Sequence, residues 1–164
     1  MNQAHLHLLS NHLPMFCGFF ALFLFVYGWL RKQDPMVRLA CVLLVINAGF
    51  AFVAHQTGEQ AEHLLEGTPG FSEEAIEHHE ERTKAFLISC FAAAVFAASL
   101  WWTEKKTGKQ APLFRRALAL VGIALCTTAW MSGSSGGAIH HSEAQTQQSE
   151  NSSIVRESEK EDGD

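Results

Sequence analysis

Four long apolar runs, each set off from the next by a strongly polar stretch, dominate the chain. They extend from about Leu13 to Leu30, Leu39 to Ala54, Ala85 to Trp102 and Leu113 to Met131. A water-soluble domain spreads its apolar residues periodically. Contiguous blocks near the roughly 20 residues that cross a bilayer's hydrocarbon core instead make lipid the expected solvent. The connections between runs one and two, and between three and four, are short, so those helices are expected to be antiparallel neighbours. The simplest assembly is all-α: an integral-membrane, up-down four-helix bundle.

The polar flanks extend this pattern. Ser72 is a good N-cap, followed by Glu73 and Glu74 where the helix dipole favours acids, so helix three is expected from about Glu73 to Trp102. Helix two can continue through Thr57 and Gly58 to about Glu66, before the breaker Gly67-Thr68-Pro69-Gly70. After run four, Gly133, Gly136 and Gly137 are expected to let the backbone turn, folding His140, His141 and Glu143 back over the bundle mouth. Residues 1–144 thus form the four-span domain. Residues 145–164, rich in Ser, Gln and Glu, read as a disordered acidic tail.

Charge gives the direction of insertion. Arg31, Lys32 and Arg38 lie in the first connection, and Lys105, Lys106, Lys109, Arg115 and Arg116 in the third. The other side holds only Arg82 and Lys84 near the spans, so the positive-inside rule puts both termini and the long middle loop outside the cytoplasm. The N-terminus lacks the basic n-region of a cleaved signal, and the first run is expected to remain as a span. Trp29, Trp101, Trp102 and Trp130 stand at span ends, as an aromatic belt requires. The net charge of -5 and the lack of a basic patch argue against nucleic acid as a partner.

Candidate chemistry collects on one side. All nine histidines, and most carboxylates, fall on the side away from the basic connections. The four cysteines, one in each run, form no CxxC or CxxCH and read as small packing residues. Asn47 and the Thr127-Thr128 pair read as interhelical hydrogen-bonding groups. On an extended helix two, Asn47, Ala51, Ala54, Gly58, Ala61 and Leu65 form the face expected to pack on the bundle. His55, Glu59, Glu62 and Glu66 form a stripe beside it, with Glu62 nearest the seam. On helix three, Ile76, His79, Thr83 and Phe86 or Leu87 share a face, so His79 is expected to point inward rather than His78, with Glu80 on its flank. Asn11-His12-Leu13-Pro14 holds His12 in the first turn of helix one, where Pro is tolerated.

One ligand type therefore arrives at one level from each helix end: His12, Glu62, His79 with Glu80, and His141 with Glu143. Such mixed imidazole and carboxylate sets suit Zn, Fe, Cu or Mn, and ligands from four bundle helices resemble di-iron carboxylate sites. Heme b is the competing cofactor, with His12, His79 and His141 as its candidate ligands. The bland alternative is that these polar groups simply hydrogen-bond one another and cap the bundle.

The same residues carry a resemblance. His7 with Asn11-His12-Leu13-Pro14, Thr57-Gly58-Glu59-Gln60-Ala61-Glu62 with Glu66 and Pro69-Gly70, Ile76-Glu77-His78-His79-Glu80, and Gly136-Gly137-Ala138-Ile139-His140-His141-Ser142-Glu143 follow one another along the chain. Over roughly residues 5 to 144 the chain resembles an uncharacterised family of small bacterial membrane proteins with four spans. That family's motifs read NHxP, TGxxAE, IExHE and GGxIRHxE. His140 stands where that family has Arg, Ala144 where it has Ile, and Thr83 or Lys84 where it has Ala. The resemblance implies a bacterial inner-membrane location and singles out His12, Glu62, His79, Glu80, His141 and Glu143; it implies no reaction.

The expected function is transition-metal binding, or else heme b binding, at the periplasmic face in a redox or metal-handling role. Glu62 with Glu80 or Glu143 would supply oxygen ligands or orient the imidazoles. The alternative of a different class is a non-enzymatic small subunit or scaffold of a membrane complex, its acidic tail docking a basic partner. The absence of ionisable residues within the spans argues against a metal-ion or proton transporter. A hydrolase with an open metal position would lack any apparent substrate-binding domain.

Overall fold

A computed structural model describes the backbone of residues 11–65 and 73–140, and the side chains of residues 11–60 and 76–135. Every element in it is a helix: α1 (His12–Leu30), α2 (Asp34–Leu65), α3 (Glu73–Thr107) and α4 (Pro112–His140). All four are long and apolar enough to cross a membrane, over His12–Leu30, Asp34–Gln60, Ile76–Thr107 and Pro112–Ser135. Helix two does continue through Thr57 and Gly58, to Leu65, and helix three runs a further turn beyond Trp102.

The helices are antiparallel, and each packs chiefly on its neighbours in the chain. Asn47 of α2 meets Cys90 of α3 at 3.5 Å, Ser89 of α3 meets Thr128 of α4 at 2.8 Å, and Gly18 of α1 lies against Asn47 and Leu125. The buried positions explain the arrangement. They include Pro14, Gly18, Ala21, Phe25 and Gly28 on α1, and Val37, Ala40, Leu44, Asn47, Ala51, Ala54 and Gly58 on α2. On α3 they include Phe86, Cys90, Ala93, Ala97, Leu100 and Glu104; on α4, Arg115, Leu118, Gly122, Leu125, Ala129 and Ser132. Steps of three and four alternate along every helix, the seam of antiparallel helices packed at a shallow angle. Many of these residues are Gly, Ala or Cys, which lets backbones approach closely where lipid gives no hydrophobic drive to association. The opposite faces carry exposed Phe, Leu, Val and Trp, such as Phe16, Phe20, Phe23, Leu120 and Trp130.

Cys41 and Cys90 lie inside the seam, and all four cysteines are free thiols. The packing face expected on α2 is buried at Asn47, Ala51, Ala54 and Gly58, and Thr57 joins it, its hydroxyl donating to the Val53 and Ala54 carbonyls at 3.0 Å. Short caps make the connections. Lys32, with φ 55, ends α1 in a left-handed turn in which its N–H donates to the Trp29 carbonyl and that of Gln33 to Gly28. Gly108, with φ 65, ends α3 with its N–H on the Glu104 carbonyl at 2.9 Å.

Two expectations are corrected. The glycines after run four do not turn the chain, because α4 continues through Gly133, Gly136 and Gly137 to His140. A glycine inside a helix costs about 1 kcal/mol relative to alanine, but Gly133 uses its missing side chain for packing: a Cβ there would stand 2.9 Å from Met15 Cε. The spans are also not free of ionisable residues, since Glu104 and Arg115 are buried within the bundle's basic end. Ser72, residues 66–71 and the acidic tail lie outside the described residues.

Candidate functional site

The seams of α3 and α4 end in a polar pair at both ends of the bundle. At the histidine end the pair is His79 and Ser135. His79 is two turns before the buried Phe86 on the same stripe and is half-buried, whereas its neighbour His78 is exposed. Its Nδ1 lies 2.9 Å from Ser135 Oγ, and that hydroxyl also donates to the Ser132 carbonyl at 2.9 Å. The contact sets the direction of the ring from a neighbouring helix.

The other candidates are placed unequally. His12 begins α1 and is exposed, with its ring edge-on to Phe16 at 6.5 Å, on the outer side of the helix. Glu80 lies beside His79, half-buried, and pairs with Lys84 one turn on at 2.7 Å. The backbone of Glu62 is part of α2, which reaches this end of the bundle; its side chain, with His141 and Glu143, lies outside the described residues. Of the stripe beside the packing face, His55 and Glu59 form a local pair at 3.4 Å. Among the described residues, no group of three or more His, Cys, Asp or Glu side chains is close enough to hold a metal ion. Two imidazoles facing each other across the bundle, as heme b requires, are not formed by His12 and His79.

The opposite end carries a constellation that the sequence pattern did not single out. Arg115, 1% exposed, donates from Nε to Glu104 Oε1 at 2.8 Å and from Nη2 to Glu104 Oε2 at 3.0 Å, a bidentate pair. Its Nη2 also reaches Asp34 Oδ1 at 2.8 Å, and Gln110 Nε2 donates to the same oxygen at 3.2 Å. The backbone N–H of Ala111 donates to Glu104 Oε1 at 3.0 Å. One arginine thus binds the start of α2, the end of α3 and the start of α4 together. A sequence signal exists for it: Glu104 is the single acid within the basic third connection, and both it and Arg115 sit on the α3 and α4 seams. Counting Arg115 only as a topogenic charge conceals this.

Near mid-bundle the polar groups serve packing. Asn47 Nδ2 donates to Cys90 Sγ, and the Ser89 and Thr128 hydroxyls meet at 2.8 Å while each also bonds to its own helix. Thr127 is exposed and turns its hydroxyl back to the Ile123 carbonyl. Compared with known proteins, the chain matches no family model, no curated protein and no solved structure.

Proposed function

We propose that the chain is an integral protein of the bacterial inner membrane that binds a transition metal at its periplasmic, histidine-bearing end, in a redox or metal-handling role. The observation that carries this reading is His79. It is half-buried on the α3 stripe that runs into the seam, and Ser135 orients it through Nδ1. A hydrogen bond on one ring nitrogen that directs the other toward a metal is the usual support for a histidine ligand. His79 would bind through Nε2, with Glu62, Glu80, His141 and Glu143 as the further donors. His12, exposed against Phe16, is the least suited of the set. Heme b remains the alternative cofactor, and it would pair His79 with His141 rather than with the exposed His12.

The competing reading, a non-enzymatic subunit or scaffold with a structural polar cluster, draws on the Glu80–Lys84 pair, which engages that carboxylate locally. Full-length protein purified in detergent without chelators distinguishes the two by metal analysis and an optical spectrum. Stoichiometric metal is expected, lost in His79→Ala, retained in His78→Ala and bound about tenfold or more weakly in Ser135→Ala. Protein with neither stoichiometric metal nor a Soret band would favour the scaffold and end the metal reading.

A further inference from the structure

At the basic end, on the lipid-facing side of the crossing between α2 and α3, lies a cleft of about 570 Å³. Arg38, Leu39 and Val42 line it from α2, and Trp101, Glu104 and Lys105 from α3. Gly108, which ends α3, forms its rim. We propose that this cleft holds the phosphate head group of an anionic phospholipid of the surrounding bilayer. The inference rests on the four-span membrane reading and is independent of the metal site.

The charge balance points to an anion. Both carboxylate oxygens of Glu104 are occupied by Arg115, and one by the Ala111 N–H as well. Asp34, one turn before Arg38, is held by Arg115 and Gln110. Arg115 offsets one of these two acids, and with Arg38 and Lys105 on the cleft walls the cluster still carries one net positive charge. Arg38 and Lys105 remain as exposed cations on its two walls, and the Lys105 ammonium stands 5.7 Å from the Trp101 ring.

The rest of the lining points to a lipid rather than a free ion. Leu39, Val42 and Trp101 are exposed and apolar, continuous with the outer surface of the bundle, so a ligand fitting the whole cleft is charged at one end and apolar along the other. Tryptophan at a span end sits at head-group depth. Basic pockets between membrane helices at the cytoplasmic side are suited to anionic head groups.

Full-length protein, stripped of lipid in a neutral detergent, is titrated with phosphatidylglycerol, with phosphatidylcholine of the same acyl chains, and with inorganic phosphate. Thermal unfolding reads the stabilisation that preferential binding produces. Saturable stabilisation by phosphatidylglycerol is expected, well above that by phosphatidylcholine and absent with phosphate. Arg38→Gln with Lys105→Gln should weaken it on the order of thirtyfold. Lys106→Gln with Lys109→Gln, which removes the same charge outside the cleft, should leave it within about twofold, since only the bulk surface potential changes.

Equal stabilisation by the two lipids, equal loss in the two double variants, or a matching effect of inorganic phosphate overturns the site. A carbonate wash of membranes separates this from failure of the underlying reading. Wild-type chain released into the aqueous fraction overturns the four spans. Retained chain without preference for the anionic lipid overturns the cleft alone.

Discussion

The guanidinium of Arg115 is held on one side by Glu104, through two donors, and on another by Asp34. An arginine removed from water is tolerated only when such partners replace its hydration, and a bidentate carboxylate does this best. Asp34 is 41% exposed, so it contributes less than Glu104, which is buried with the arginine. Arg115→Met should leave the Glu104 carboxylate stranded and lower stability by about 3 kcal/mol or more. Arg115→Met combined with Glu104→Met should recover much of that loss, because an apolar pair of similar volume is often as good as a buried ion pair. Denaturant unfolding of the two variants in detergent checks this; a double variant no more stable than the single one contradicts it.

At the scale of the helix, the alternating steps of three and four set which glycines matter. A Cβ on Gly28 would stand 2.8 Å from Met36 Cβ and 2.9 Å from the Val37 backbone nitrogen, so the first residues of α2 would have to move. Gly28→Ala should destabilise by about 1–3 kcal/mol. Gly49 faces open space, where an added Cβ would meet nothing within 4 Å, and Gly49→Ala should stabilise by up to about 1 kcal/mol through helix propensity. Thermal unfolding of the pair tests the assignment of the seam, and equal effects would refute it. The same logic explains the end of α4. Glycine after an apolar run reads as a turn, yet here Gly133 accommodates Met15 inside a continuing helix.

For the whole molecule, four helices able to span a membrane bring the start of α1 and the end of α4 to one side. Reporter fusions at the N-terminus and after residue 164 should therefore report the same compartment, the periplasm, and one inserted at Lys32 the other. Termini in different compartments would require a different number of spans. The two polar ends would then face different media. The basic end is closed by an internal ion pair and cradles a cleft toward lipid, while the histidine end presents an oriented imidazole.

The sequence alone determined the number of helices and their capacity to span a membrane, because block hydropathy is a one-dimensional property. It also selected His79 over His78 and the packing face of α2, since helical periodicity assigns residues to faces without knowledge of partners. It did not reveal the joining of Asp34, Glu104 and Arg115, whose positions lie as much as 81 residues apart. Nor did it reveal that Ser135 orients His79 across 56 residues, or that His12 turns outward against Phe16. Such pairings depend on the register between helices, which small seam residues fix by contact. Only packing in three dimensions decides which polar residue at a helix end finds a partner and which remains on the surface.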